Sequence, residues 1–292
     1  MAKKSKAKKN SIFASSEKQA RRAIQKLSFD SVRTEKNYEA SLKLFCDFLK
    51  ETKNGSLEDF SKDVAISYLE KRAQEVRQKT LDQDRNAIQA LLKDKIERIN
   101  SEIETELKSR AYTREQIELV IEHQNERNAL ATRIAADAGL RAHELFTLRK
   151  VEERAGSTAR EYRKDRFNYR ENVEIYTVQG KGGLVREVAI SKELADELES
   201  RRISEPKIIY DRDVKYESLY DIGGGKSWSE SFSRAAKSEL GWSEGAHGLR
   251  HTYAQERVES LQEHGYFYQD ALEIVSQEMG HFRPDITEVY LR

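Results

Sequence analysis

The stretch Met279-Gly280-His281-Phe282-Arg283-Pro284-Asp285-Ile286-Thr287-Glu288-Val289-Tyr290 sets a histidine and a tyrosine nine positions apart near the end of a 292-residue chain. Upstream lies His247-Gly248-Leu249-Arg250-His251-Thr252-Tyr253-Ala254, and further back Gly139-Leu140-Arg141-Ala142-His143-Glu144-Leu145. Taken singly these residues have ordinary explanations. A lone arginine is more often a surface ion-pair partner, and a late tyrosine packs a terminal turn. Their joint order suits one chemistry, attack on a phosphodiester by a phenol. That reaction needs a nucleophile, cations for two non-bridging oxygens, and a proton for the leaving 5′ oxygen. A tyrosine conserves the bond energy as a phosphotyrosine ester. Its phenol, with a free pKa near ~10, must lose its proton to a base or into a positive field. Arginine suits the oxygens because its planar fork donates two bonds and keeps its charge.

The three blocks resemble the catalytic boxes of the tyrosine recombinases, the phage-integrase family of DNA strand-exchange enzymes. The resemblance covers most of residues 110–292 and, more loosely, the helices before them. It implies that Arg141, in Gly-Leu-Arg-x-x-Glu-Leu, and Arg250, in His-x-Leu-Arg-His-Thr-Tyr-Ala, are the two catalytic arginines. His247 matches a proton shuttle, His281 a phosphate-holding histidine, and Tyr290 the nucleophile. Lys181, in a Gly-Lys-Gly-Gly turn, matches the lysine that protonates the leaving oxygen. Glu144 matches an acidic position that supports the site without doing chemistry, and His251 a supporting or packing residue. The implied activity is site-specific recombination through a 3′-phosphotyrosine and a Holliday junction, with no cofactor. The implied partner is double-stranded DNA at specific sites, bound by a dimer on one site and a tetramer in the synapse, with accessory DNA-bending proteins conceivable. A bacterial or phage context, cytoplasmic and nucleoid-associated, goes with it, and the last boxes resemble those of integrases on bacterial mobile elements more than those of the chromosome-dimer resolvases. Two alternatives stay open. One is a type IB topoisomerase-like nicking-closing enzyme, and the other a catalytically silent DNA-binding protein of the same fold.

Only 2 prolines and 14 glycines stand against long helices. Charged residues make up 35% of the chain, but apolar ones recur at helical spacing, which excludes wholesale disorder. The net charge of +1 does not announce a nucleic-acid binder, so distribution matters more. Lys3, Lys4, Lys6, Lys8 and Lys9 make a basic arm over residues 1–14 that suits phosphates or simply solubility. The single cysteine, Cys46, excludes an intramolecular disulfide and reads as a small core residue between Phe45 and Phe48. No apolar run approaches ~18 residues, so no membrane span is expected.

Residues 15–99 read as a small helical domain. Tyr38, Leu42, Phe45 and Leu49 line one helix face, Ser61 is a candidate N-cap, and Leu81, Ile88, Leu91 and Leu92 mark a further amphipathic helix. The opposite face carries Gln83, Asn86 and Lys93, candidates to read or hold DNA, though a polar face is more often merely solvated. Lys95 to Arg110 lacks an apolar stripe and is expected to act as a helical linker, with residues 100–111 joining the domains. Thr113 and Gln116 then spell a capping box. Val173–Gln179 and Leu184–Ile190, around Gly180-Lys181-Gly182-Gly183, predict a β-hairpin. After Pro206 helices are expected, over 229–240, 247–262 and 269–278. Asp285 with Glu288 suggests a capping box for a last turn bearing Tyr290. The expected fold is mostly α in two domains, a helical SAM-like core-binding domain and an α+β catalytic domain, 112–292, with a small antiparallel sheet. Such a pair would grip a duplex from opposite sides.

Two motifs are set aside. Gly223-Gly224-Gly225-Lys226-Ser227 resembles a phosphate loop, but Tyr220 stands where the first glycine belongs. His247 and His251 have metal-ligand spacing, but Gly248 replaces the glutamate of a zinc-protease box, and no metal is expected. Departures from the family are the long stretches Val151–Arg170 and 258–278, and the absence of a helix after Tyr290. The last puts the usual cyclic contact between subunits in doubt and points to one of the long stretches as a substitute.

Overall fold

The computed structural model describes residues 14–29, 32–104, 108–180 and 182–292. The lysine arm, with Lys3 and Lys4, and the turn residue Lys181 lie outside the described residues. The chain divides into two compact units, Met1–Glu106 and Leu107–Arg292.

The first unit is helical: α1 (Ser16–Ile24), α2 (Val32–Glu51), α3 (Lys62–Ala73) and α4 (Gln78–Leu92). Its core is the stripe foreseen from spacing, with Leu42, Phe45, Leu49, Leu69, Leu81 and Ile88 buried and Cys46 among them. Ser61 caps α3 by accepting from the Val64 amide at 3.3 Å. α4 ends where Lys93 turns left-handed. The expected linker helix is absent among the described residues: positions 93–104 and 108–113 carry no helix. Lacking an apolar stripe, this segment is held by side chains instead. The Ser101 amide donates to Gln78 Oε1 at 2.8 Å, its hydroxyl to the Val76 carbonyl at 2.6 Å, and the Ile96 amide to Gln89 Oε1 at 2.7 Å.

The second unit opens with α5 (Arg114–Glu122), whose Thr113–Gln116 capping box is complete, and α6 (Glu126–Ala138). A 3-10 turn (Glu144–Thr147) leads into a three-stranded antiparallel sheet, β1 (Arg149–Lys150), β2 (Val173–Gln179) and β3 (Val185–Ser191), in that spatial order. β2 and β3 pair from Val173↔Ser191 to Gln179↔Val185, as the alternation predicts. Then follow α7 (Lys192–Ser200), β4 (Arg202–Asp211), β5 (Val214–Tyr220), α8 (Gly225–Leu240), α9 (Gly248–Glu263), α10 (Tyr268–Glu278) and α11 (Pro284–Glu288).

The helices expected over 229–240, 247–262 and 269–278 are present as α8, α9 and α10, but the hairpin β4–β5 around Pro206 was not foreseen. Its strands are mostly exposed, so they carry no inward-outward alternation to read. Pro206 falls where the register shifts between Arg202 and Lys207, an irregularity that tolerates a residue without an amide proton. The turn residues Arg212 and Asp213 are both left-handed, a two-residue geometry usually announced by Asn-Gly. The hairpin also explains the phosphate-loop lookalike. Asp211 Oδ1 accepts from the Lys226 amide at 2.8 Å, so the protein's own carboxylate occupies the start of α8. The α11 capping box is likewise corrected. Arg283 is the N-cap with no side-chain bond, and Asp285 pairs with Arg283 at 2.7 Å instead.

Trp228, Phe232, Leu130, Ile134, Val188, Ile190 and Leu249 centre the main core of this unit. A smaller cluster between α9 and α10, with Leu261, Ile274, Val275 and Met279, takes in Tyr290. No helix among the described residues is long and apolar enough to cross a membrane.

Candidate active site

Five elements, α6, the 3-10 turn, α9, α10 and α11, bring the distant sequence blocks together. Gly139 ends α6 in the left-handed conformation (φ +60°), which turns the chain so that Arg141 and the 3-10 turn face α9 and α10. Its carbonyl accepts a bond from Arg250 Nη1 on the first turn of α9. The Met279 carbonyl, at the end of α10, accepts from Arg250 Nη2 at 3.1 Å and from Arg141 Nη1 at 3.4 Å. The last helical turn then carries Tyr290 back onto α9.

At the centre is Glu144, fully buried. Its carboxylate accepts from the Arg141 amide (2.7 Å), from Arg141 Nη1 (2.8 Å) and from both terminal nitrogens of Arg186 (2.7 and 3.0 Å). Arg250 Nη1 lies 4.0 Å away. Burial by itself would raise this carboxyl's pKa, but the charges of Arg186, Arg141 and Arg250 outweigh it and hold the group far below the usual carboxylate range. One anion amid three guanidinium groups leaves this cluster with surplus positive charge, a setting built for a further anion. Arg141 keeps a quarter of its side chain exposed, whereas Arg250 is sealed. Burial, and then the neighbouring Arg141, lowers the proton affinity of Arg250. A guanidinium nevertheless retains its charge at neutral pH.

Tyr290 sits against the histidines. Its hydroxyl is 3.1 Å from His247 Nε2, and its ring centroid lies 4.6 Å from that of His251 and 5.1 Å from that of His281. The Arg250 guanidinium is 5.6 Å from the same ring centroid, a cation–π distance. Gln255 Nε2 donates to the Tyr290 carbonyl at 3.0 Å and fixes the backbone there. His281 Nε2 faces Arg250 Nη2 at 3.1 Å and its Nδ1 faces Thr287 Oγ1 at 3.1 Å. Arginine only donates, so Nε2 accepts and the proton resides on Nδ1. Burial, then Arg250 and Arg141, pushes the His281 pKa well down. Desolvation of the ring, followed by Arg250, His251 and Arg110, does the same for His247, although the residue as a whole is exposed. His251 is lowered to about 4 by burial and then by Arg110. All three imidazoles are therefore neutral near pH 7. A neutral His247 within hydrogen-bond reach of a phenol is placed to take its proton.

Of the residues singled out from sequence, Arg141, Glu144, His247, Arg250, His251, His281 and Tyr290 converge. Lys181 lies outside the described residues, between strands whose paired ends are described. In the first unit, Asn86 and Lys93 are exposed, but Gln83 is half-buried and donates to Ser41 Oγ at 3.4 Å, bridging α4 to α2. Arg186 was not foreseen. Its signal was available: it shares the inward row of β3 with Val188 and Ile190, where an arginine is out of place unless paired. Thr287 and Gln255 carried no comparable signal.

No family model and no curated protein matches the chain. Solved structures do. The XerH site-specific recombinase bound to a palindromic difH substrate, in a post-cleavage complex, aligns with a TM-score of 0.62 at 17% identity, over 96% of this chain and 82% of that one. A lambda integrase dimer bound to a COC′ core site gives 0.59 at 16% identity, over 94% and 76%. The Tn1549 transposon integrase in complex with a circular intermediate DNA gives 0.56 at 14% identity, over 95% of both chains. Nearly the whole chain is spanned in each case, so the mostly helical, two-unit architecture with its small antiparallel sheet is the fold of the tyrosine recombinases.

Proposed function

We propose that the chain is a site-specific DNA recombinase that cleaves and rejoins strands through Tyr290. The observation that carries this is the 3.1 Å approach of the Tyr290 hydroxyl to His247 Nε2 beside the Arg141–Glu144–Arg250 cluster. In this reading the Tyr290 oxygen attacks phosphorus as its proton passes to His247. The bond from phosphorus to the 5′ oxygen breaks, leaving a 3′-phosphotyrosine and a 5′-hydroxyl. Arg141 and Arg250 hold the non-bridging oxygens, so phosphate replaces the carbonyl and imidazole partners that Arg250 has in the free protein. His281, released by Arg250, then carries its proton on Nε2, with Nδ1 accepting from the Thr287 hydroxyl, and donates to the same phosphate. Lys181 is the proposed donor of the proton to the leaving oxygen. The 5′-hydroxyl of a partner strand then attacks the phosphotyrosine, and a second round resolves the Holliday junction. The ester conserves the bond energy, so this route requires neither nucleotide nor metal.

The fold neighbours include a lambda integrase tetramer bound to a Holliday junction, which supports a dimer on one site and a tetramer in synapsis for this chain. We assign the helical unit to holding the duplex, with Asn86 and Lys93 as exposed contacts. We assign the second unit to chemistry. A cytoplasmic, nucleoid-associated location belongs to the same reading.

The test is covalent trapping. The protein is incubated in EDTA with duplexes tiled across the DNA flanking its own coding sequence, each nicked so that the cleaved fragment diffuses away. A detergent-resistant adduct that vanishes with Tyr290→Phe supports the proposal. Tight binding without an adduct overturns it in favour of a silent DNA-binding protein. Resealing of one strand without exchange points to a topoisomerase.

A further inference from the structure

The long segment 151–170 is a strap built into the second unit. At one end Ser157 grips β3: its amide donates to the Val185 carbonyl at 2.8 Å, and its hydroxyl accepts from the Val185 amide at 3.0 Å. Arg166 adds a bond to Glu187 at 2.8 Å. At the other end the strap grips α10. The Arg163 amide donates to Gln277 Oε1 at 2.7 Å, its guanidinium binds Asp270 and Glu273, and the Phe167 amide donates to Glu278 Oε1 at 2.9 Å.

Between these anchors the strap meets Phe282, the residue after His281. The Tyr162 and Phe282 rings pack edge to face, with centroids 4.9 Å apart at 64°. The Arg160 guanidinium lies 5.7 Å from the Phe282 centroid, and Arg166 covers Tyr162 at 4.0 Å. Phe282 has φ +56°, a conformation that a bulky residue keeps only when its surroundings hold it. Its neighbour His281 makes both the Arg250 and the Thr287 contacts. We infer that Tyr162, assisted by Arg160, is a positioning residue for His281: by clamping Phe282 in the left-handed conformation it sets the imidazole against Arg250 and Tyr290. The buried Tyr162 hydroxyl has no hydrogen-bond partner among the described residues, so the ring carries the effect.

The inference rests on the recombinase reading, and the experiment separates the two. Single-turnover adduct formation on a trapping duplex and affinity for that duplex are measured for wild type, Tyr162→Ala, Tyr162→Phe, His281→Ala and the double alanine variant. Tyr162→Ala is expected to slow cleavage about tenfold to a hundredfold, since misplacing a reacting group by ~1 Å costs up to that much. Affinity should be unchanged, and Tyr162→Phe should cleave as wild type. In the His281→Ala background Tyr162→Ala should change the rate less than about twofold, because its effect passes through the missing imidazole. A wild-type rate in Tyr162→Ala, or an equal further loss without His281, overturns the inference. Tyr162→Leu replaces the alanine variant should that one unfold. Imidazole nitrogen resonances of His281, with labelled histidine, give a readout independent of DNA. They should shift in Tyr162→Ala and not in Tyr162→Phe, and unshifted resonances overturn the inference. A wild-type protein that forms no adduct counts against the recombinase reading alone.

Discussion

Arg186 spans both carboxylate oxygens of Glu144, at 2.7 and 3.0 Å, with both side chains closed to solvent. Its Nε is bound as well, donating to the Glu278 carbonyl at 2.9 Å. One strand arginine therefore joins the Arg141 turn to the end of α10. Arg186→Met would leave Glu144 with fewer cations in a sealed site, and breaking a buried pair in this way costs about 3–5 kcal/mol. Urea unfolding should show that loss. Arg186→Lys, a point charge without the fork, should recover only part of it. A wild-type midpoint in the methionine variant would show that the pair contributes little.

The depressed pKa values of His247 and His281 fix the expected pH dependence of cleavage. Both groups are held below the ordinary imidazole range, by burial first and by Arg250 next, so both are already neutral at pH 6.5. The rate at subsaturating DNA, which reports the free enzyme, should therefore show no inflection near 6.5 between pH 5.5 and 8. An inflection there that disappears in His247→Gln would mean that the histidine is not depressed in solution.

Stability should respond to acid in a defined window. His251 is lowered to about 4, chiefly by burial, against an ordinary value near ~6.5 in the unfolded chain. Between those values the unfolded state binds the extra proton, so His251 makes stability fall as pH falls from about 6.5 towards 4, by up to about 1.4 kcal/mol per unit. His247 and His281, also depressed, add to the same slope. Glu144, depressed in the fold because Arg186, Arg141 and Arg250 outweigh the cost of burial, adds a further loss below the ordinary carboxylate pKa. Melting temperatures from pH 4 to 8 should follow this course. His251→Phe, which keeps a ring against Tyr290, should flatten the upper part of the slope, and an unaltered slope would assign it to another group.

The parts legible beforehand were those with a local signature. The Leu42–Phe45–Leu49 stripe, the Thr113–Gln116 capping box and the β2–β3 hairpin each advertise themselves through periodicity or capping chemistry. That Arg141, His247, Arg250, His281 and Tyr290 belong to one site was implied by the resemblance of their three boxes to those of the tyrosine recombinases, and the structure brings them together. What escaped lacks such a signature. The exposed strands of β4–β5 carry no alternation and turn on Arg212-Asp213. In the Lys95–Arg110 stretch the Ile96 and Ser101 amides are bound by Gln89 and Gln78, partners that depend on tertiary placement. Gln83 reads as a groove-facing amide until Ser41 is seen opposite it. The strap around Tyr162 owes its order to α10 and β3, neither adjacent in sequence.

Gly280 offers the sharpest check on how tightly the site is built. It has φ +73°, and a Cβ there would stand 2.8 Å from Arg186 Cδ and 3.2 Å from Arg186 Nε. That arginine cannot swing aside cheaply, because its Nε and both terminal nitrogens are already bonded. Gly265 supplies the control: φ is +89°, but a Cβ would meet nothing among the described residues within 4 Å. Gly265→Ala should therefore cost only backbone strain, on the order of 1 kcal/mol. Gly280→Ala should cost that plus the displacement of Arg186, in all about 2–4 kcal/mol, the range of overpacking added to strain. Because Glu144 and His281 flank the displaced arginine, Gly280→Ala should also lose adduct formation at temperatures where it remains folded, whereas Gly265→Ala should retain it. Equal unfolding midpoints for the two variants would mean that Arg186 yields freely, and that the buried cluster is looser than its hydrogen bonds imply.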